Sequence, residues 1–206
     1  HDGETVPARW RRAFCGAQPP STTAAWCDSA PFLVTSMASL DALNASLRAA
    51  AAARGARAPA VPMNRFRPNL VVAGAAPFAE DAWREIAIVD AATSSAGAGA
   101  TERGVRIRID KPCSRCQVPS IEQSTGVIDA RPFSKAEPTR TLKEFRQGKH
   151  LGYKRKWSGA LFFGMHAHEH APADDRTAAQ LRPRALVVGS AVALLRVSSA
   201  PRREWT

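Results

Sequence analysis

Two cysteines and their basic neighbours have the clearest capacity for chemistry in this chain of 206 residues. Cys113 and Cys116 form a C-x-x-C pair, with Lys111, Ser114 and Arg115 beside or between them. Positive charge next to a thiol favours the thiolate and lowers its pKa, and a thiolate is a good ligand for a soft or high-valent metal. Ser114, Arg115 and nearby backbone amides could also hold an anion. The motif therefore predicts a metal-binding or anion-binding site, with a pair of buried structural thiols as the alternative.

Structural zinc and disulfide exchange fit this cysteine pair less well. A zinc site needs a second cysteine pair or histidines at ligand spacing, and the other two cysteines, Cys15 and Cys27, do not supply a C-x-x-C partner. A redox C-x-x-C usually opens a helix in a βαβ unit, whereas Pro119 follows this pair and argues against a helix start. Four cysteines are also too few for a disulfide scaffold at this length.

A second polar cluster, at residues 64–69, comes just before a predicted buried strand. It holds two arginines, Arg65 and Arg67, and an asparagine at each end. Pro68 disfavours the helical region for the residue before it, which predicts an extended Arg67 at a defined place on the sheet rim. A planar guanidinium suits bidentate contacts with phosphate. The alternative interpretation is a solvated basic loop.

Charge and composition favour a globular protein with an anionic partner. The chain has 29 Lys and Arg against 18 Asp and Glu, a net charge of +11. Such a surface attracts nucleic acid, acidic membranes or an anionic cofactor. Hydrophobic residues make up 45% of the chain, which argues against disorder. The sequence contains no run of 18 or more apolar residues, so it predicts no transmembrane helix. The chain begins with His1, so we expect a processed or partial chain.

The elements that must position these residues are mostly strands. Periodicity and turn residues predict strands at 31–35, 69–73, 85–89, 105–109, 161–163, 186–188 and 192–197. Ser36 fits the N-cap of a helix that reaches about Arg54, with an apolar stripe formed by Met37, Leu40, Leu43 and Leu47. A shorter helix is predicted to open at residues 137–139 and to reach about Phe145, and residues 91–104 are predicted to form a flexible loop. Strands with two helices predict the α+β class, with a curved sheet or barrel.

Two further groups of side chains carry weaker predictions. His166, His168 and His170 alternate and could share one strand face, although a polar loop is the favoured interpretation. The basic segment 153–157 could contact RNA or an acidic partner, with a solvated loop as the favoured alternative.

Taken in order, several segments resemble the MOSC domain, in the form found in the mitochondrial amidoxime-reducing component and at the C-terminus of molybdenum cofactor sulfurases. The segments that carry this resemblance are 28–34, 39–44, 64–69, 77–83, 112–116, 125–126, 141–146, 163–164 and 188–189. The resemblance implies an α+β fold with a MOSC-type β-barrel-like core and flanking helices. It predicts a MOSC domain over residues 28–198, between an irregular N-terminal extension, 1–27, and a basic C-terminal tail, 199–206.

The same resemblance implies binding of the pterin-based molybdenum cofactor (molybdopterin). In the family the second cysteine of C-S-R-C ligates molybdenum, which makes Cys116 the predicted metal ligand and catalytic residue. The residues that match cofactor-holding positions are Arg67, Asn69, Ser114 and Arg115. Asp28 and Ser29 match a segment near the metal.

The implied activity is reduction of N-hydroxylated compounds, with electrons from a cytochrome b5-type protein, in a mitochondrion or another organelle. A second hypothesis is a non-catalytic, MOSC-derived subunit of a large organellar assembly, such as a mitochondrial ribosome or a respiratory complex, with the cofactor absent. It is motivated by the +11 charge, by segments that look inserted, and by an N-terminal β-rich half that active family members carry and these residues do not include. A third hypothesis is a sulfur-carrying domain that uses Cys113 or Cys116.

Overall fold

The computed structural model describes residues 30–89, 104–128, 137–169 and 188–198. The elements of these residues are β1 (Phe32–Ser36), α1 (Met37–Ala52), β2 (Leu70–Val72), β3 (Trp83–Val89), β4 (Val105–Ser114), α2 (Thr139–Phe145), β5 (Phe162–Glu169) and β6 (Ala191–Val197). Six of the seven predicted strands and both predicted helices correspond to these elements. The mixture of a mainly strand-built core with helices confirms the α+β class. Residues 186–187 of the predicted strand 186–188, most of the loop 91–104 and both predicted terminal segments lie outside the described residues, and Val188 lies in a turn.

One of two compact units in the chain contains β3, β6, β4 as far as Lys111 and the last residues of β5. Strand β3 pairs antiparallel with both β4 and β6. The predicted alternation on β4 is confirmed, because Ile107 and Ile109 are buried whereas Arg108 is exposed. Alternating side chains point to opposite faces of a strand, so the aliphatic face of β4 belongs to the core.

The other unit contains the remaining part of β4, the first residues of β5, and β1, α1, β2 and α2. Its strands are hydrogen bonded in the order β2, β1, β5, β4, and β1 runs parallel to β2 with Val34 opposite Leu70. The core between its strands and helices is one hydrophobic cluster. Its members are Leu40, Leu43, Leu47, Val61, Phe66, Leu142 and Phe163.

Helix α1 begins as its sequence predicts. The Ser36 hydroxyl accepts a hydrogen bond from the backbone N–H of Ser39, at 3.1 Å, which satisfies one of the free amides of the first turn. Three members of the predicted apolar stripe are buried, but Met37 is 41% exposed. The buried part of the predicted stripe therefore begins at Leu40, and Met37, the first helical residue, is not a member of the hydrophobic cluster.

Glycine is required at position 164 of β5. Gly164 has a φ of +77°, and a Cβ atom there would lie 2.9 Å from the Val34 carbonyl oxygen and 2.7 Å from Thr35 Cγ2. L-residues rarely adopt this conformation, and a backbone carbonyl cannot move aside as a flexible side chain can. The close approach of β5 to β1 therefore depends on the missing side chain.

Arg146, at the C-terminal end of α2, is buried and forms an ion pair with the partly exposed Asp81. Its Nη1 and Nη2 donate to the two Asp81 carboxylate oxygens at 2.7 and 3.0 Å, and its Nε donates to the Phe162 carbonyl at 3.1 Å. The guanidinium carbon also lies 4.4 Å from the ring centroid of Phe78. The Arg146 side chain thus joins α2, β5 and the turn before β3.

A buried carboxyl group lies beside the start of α1. The Ser39 hydroxyl donates to Glu80 Oε1 at 2.7 Å and accepts from the Phe78 N–H at 2.8 Å. The second carboxyl oxygen of Glu80 is buried without a hydrogen-bond partner among the described residues. Burial raises the pKa of Glu80 above its ordinary value, because desolvation disfavours the charged form.

This raised pKa predicts that Glu80 lowers stability as the pH increases. A group whose pKa is raised by folding contributes fully to the free energy of unfolding at pH values below its pKa in the unfolded state. This contribution is lost as the pH rises through its pKa in the folded state. We therefore expect the melting temperature of the wild type, relative to that of Glu80→Gln, to fall from acidic to neutral pH. Thermal unfolding across this range checks it, with the exposed Glu144→Gln as control. A difference that does not change with pH contradicts the prediction.

His168 lies in β5 and not in a loop. It is buried, and its Nδ1 lies 2.7 Å from Asp110 Oδ2 on β4. The polar-loop interpretation is therefore wrong for His166 and His168, which both belong to the strand, whereas His170 lies outside the described residues.

In the part of the chain that the structure describes, no helix is long and apolar enough to cross a bilayer.

Candidate functional site

The cysteine motif lies where β4 ends. The strand extends to Ser114, so Cys113 is its penultimate residue and is buried. Cys116 lies beyond the strand end and is exposed, and no disulfide joins the two. The alternative of two buried structural thiols is therefore wrong for Cys116, whose sulfur can be reached by a ligand.

Arg115 connects the cysteine motif to residues 63–67. Its Nη1 donates to Cys113 Sγ at 3.0 Å, and its Nη2 donates to the Phe66 carbonyl at 3.0 Å. Its backbone N–H donates to the Leu161 carbonyl at 2.7 Å, next to β5. The guanidinium carbon lies 5.6 Å from the Phe66 ring centroid. In this structure the Arg115 guanidinium therefore contacts the protein itself, whereas the sequence predicts a contact with the cofactor.

Arg67 ends a single turn of 3₁₀-helix, Met63–Phe66, and is exposed. Its backbone is left-handed, with φ 53° and ψ 47°, and its N–H donates to the Asn64 carbonyl at 3.0 Å. The predicted extended conformation is therefore wrong, because closure of the preceding turn outweighs the bias from Pro68. A left-handed residue other than glycine costs free energy, and such residues cluster at functional sites.

Asn69 holds the start of β2 against β1. Its side-chain Oδ1 accepts from the Leu33 N–H at 2.8 Å, and its backbone N–H donates to the Leu33 carbonyl at 3.0 Å. These two bonds continue the parallel ladder between β1 and β2 by one residue. The sequence analysis missed this role because Leu33 lies far from Asn69 in the chain, and its predicted contact with the cofactor stays a prediction.

A second arginine also contacts the segment that carries Cys116. Arg65 is buried, and its Nη2 lies 2.5 Å from Glu122 Oε2 while its Nη1 contacts the Pro119 carbonyl at 3.5 Å. The Arg65 guanidinium holds the pKa of Glu122 below its ordinary value, mainly through this hydrogen bond. Nothing in the spacing of Arg65 and Glu122 along the sequence indicates that they meet.

Arg67, Asn69, Ser114 and Cys116 are among the exposed residues around these contacts. Arg115 follows Ser114, precedes Cys116 and donates to the carbonyl of Phe66, the residue before Arg67. Asp28 and Ser29 lie outside the described residues. Among the described residues, no group of three or more His, Cys, Asp or Glu side chains could hold a metal ion.

Comparison with known proteins decides the family. The family model described as "MOSC domain" matches residues 21–193. The chain belongs to the MOSC domain family. Among curated MOSC relatives, it is 34% identical to human mitochondrial amidoxime-reducing component 1 over 128 residues, and 33% identical to the mouse protein over 122 residues. It is also 31% identical to the molybdenum cofactor sulfurase of Oryza sativa subsp. japonica over 101 residues.

These matches cover only part of each MOSC relative. They span 62% of this chain and 29% of the human protein, 59% and 27% for the mouse protein, and 49% and 9% for the rice sulfurase. The chain thus spans less than a third of the length of these relatives. Family membership follows from the comparisons, whereas cofactor binding and the activity of the longer proteins are matters for proposal.

Proposed function

We propose that this MOSC domain binds the molybdenum cofactor, with the Cys116 sulfur as the protein ligand to molybdenum. The observation that carries the proposal is the exposure of Cys116 next to Arg115, whose guanidinium is bonded to the turn that ends at Arg67. The name of the rice relative, molybdenum cofactor sulfurase, supports the same cofactor. The predicted domain limits, 28–198, stay a prediction.

The donor set fits such a group chemically. A thiolate is a soft ligand suited to molybdenum, and the exposed Arg67 guanidinium suits the phosphate of the pterin. Ser114 adds an exposed hydroxyl beside Cys116. Arg115 enters this proposal with a changed role, because its two terminal nitrogens hold Cys113 and the Phe66 carbonyl. It would order the backbone around Cys116 and leave phosphate contacts to Arg67.

For the reaction, we propose reduction of N-hydroxylated compounds in a mitochondrion, with electrons from a cytochrome b5-type protein. The bound cofactor would supply a two-electron reduction in which the substrate loses its oxygen atom. The protein's own groups would do other work: Cys116 would hold the metal, and Arg67 and Ser114 would fix the cofactor's orientation. The names of the human and mouse relatives support both the reaction and the compartment.

Metal analysis of the purified protein tests the cofactor proposal. The chain is produced in cells that make the cofactor, and molybdenum per chain is measured beside a control molybdenum enzyme prepared in parallel. We expect a molybdenum content comparable with that of the control. Less than about a tenth of an equivalent, while the control is loaded, would contradict the proposal and favour the non-catalytic alternative. Reduction of an amidoxime by the loaded protein, with a cytochrome b5-type donor, then tests the reaction.

A further inference from the structure

Cys116 lies in a short segment that is fixed on both sides to the same turn. Before Cys116, Arg115 donates to the Phe66 carbonyl. After Cys116, the 3₁₀ turn Val118–Ser120 begins, and the Pro119 carbonyl in it contacts Arg65. Arg65 and Phe66 are consecutive residues of the turn Met63–Phe66, which also leads into Arg67.

The attachment after Cys116 depends on a carboxylate. Glu122 is 34% exposed at its side chain, while the Arg65 side chain is only 9% exposed, and their atoms approach to 2.5 Å. A glutamate carboxylate is charged at neutral pH, and the hydrogen bond from Arg65 lowers the pKa of Glu122 further below its ordinary value. The contact of Arg65 with the Pro119 carbonyl is longer, at 3.5 Å, so Glu122 is the stronger partner that orients the guanidinium.

We propose that Arg65 and Glu122 are positioning residues that hold Cys116 in register with Arg67. This inference rests on the proposed cofactor site. Arg65 and Glu122 would act on the position of Cys116 and would not contact the cofactor themselves. Arg115 fixes one end of the segment and the ion pair fixes the other, so the backbone at Cys116 is held at both ends relative to the turn that carries Arg67. Groups behind a metal ligand that fix its orientation commonly change metal affinity by about 10–100-fold when they are removed.

Release of bound molybdenum from three variants tests this inference. Glu122→Gln keeps the shape and removes the charge, Glu122→Asp keeps the charge, and Glu144→Gln removes an exposed carboxylate on α2 as the matched control. Each loaded protein is dialysed at a temperature well below its melting temperature, and the rate of molybdenum loss is measured. We expect Glu122→Gln to lose molybdenum about tenfold faster than wild type, the control to match wild type, and Glu122→Asp to fall between.

The outcomes separate this inference from the proposal on which it rests. If the wild type holds no molybdenum, the cofactor proposal fails and the positioning role fails with it. If the wild type is loaded and Glu122→Gln releases molybdenum no faster, only the positioning role is overturned. Equal release from Glu122→Gln and Glu122→Asp also overturns it, because the charge would then have no role. Should Glu122→Gln not fold, faster release from Glu122→Asp than from Glu144→Asp supports the role, and equal release overturns it.

Discussion

Replacing Cys116 with alanine is expected to abolish molybdenum retention and to leave the fold intact. The side chain is exposed beyond the end of β4, so its removal leaves no cavity and should change stability by less than about 0.5 kcal/mol. Removal of residues that only orient a metal ligand weakens metal binding by up to roughly 100-fold. Removal of the ligand itself should weaken molybdenum binding by more than that. Molybdenum per chain and the melting temperature, measured on the same preparation, check both parts.

Cys113→Ser is the matched control for this experiment. Cys113 is buried and accepts a hydrogen bond from Arg115, and serine keeps an acceptor in nearly the same place. We expect Cys113→Ser to retain molybdenum with a lower melting temperature, the reverse of the result for Cys116→Ala. Retention of molybdenum by Cys116→Ala would contradict the assignment of the ligand, and loss from Cys113→Ser alone would transfer it to the buried thiol.

Replacing Asp81 with alanine is expected to cause a large loss of stability. The substitution leaves the Arg146 guanidinium, 4% exposed, without the two carboxylate oxygens that it contacts at 2.7 and 3.0 Å. Breaking a buried ion pair by removing one partner costs about 3–5 kcal/mol. Because the Asp81 side chain is 28% exposed, solvent screening reduces the expected loss to roughly 2–4 kcal/mol. Urea unfolding, with the midpoint and slope fitted together, measures it.

Glu85→Ala provides the comparison for Asp81→Ala. Glu85 contacts Arg106 at 3.3 Å, and the side chains of Glu85 and Arg106 are 16% and 29% exposed. Removal of Glu85 leaves Arg106 in contact with solvent, whereas Arg146 is only 4% exposed, so the loss should be smaller, at most about 1 kcal/mol. If Asp81→Ala and Glu85→Ala lose the same free energy of unfolding, burial of Arg146 does not determine how much its ion pair with Asp81 contributes to stability.

Local signals predicted much of the fold because they act within a few residues. The Ser36 cap, the stripe of Leu40, Leu43 and Leu47, and the alternation of β4 depend on neighbours along the chain, and the structure confirms them. The end of β4 was harder to predict, since Pro112 and Cys113 break the alternating pattern although the strand continues to Ser114.

The sequence predicts which residues belong to the candidate site but not which residues their side chains and backbones contact. Residue types and spacing indicate Arg67, Arg115 and Cys116 as site residues. The left-handed backbone of Arg67, however, follows from a turn closed by the Asn64 carbonyl, which competes with the local effect of proline. The direction of the Arg115 guanidinium depends on Phe66, a residue distant in sequence. Propensity and periodicity contain no information about such pairings, and the same reason hid the pair of Arg65 with Glu122 and that of Asp110 with His168.

The requirement for glycine at position 164 comes from the fold and does not depend on the cysteine at position 116. Crowding by the Val34 carbonyl would penalise any larger residue there whether or not a metal is ever bound. A descendant of this protein could therefore discard its thiol and still be obliged to keep that achiral residue. Loss of the cysteine with survival of the glycine would mark a MOSC fold that is maintained without the proposed metal ligand.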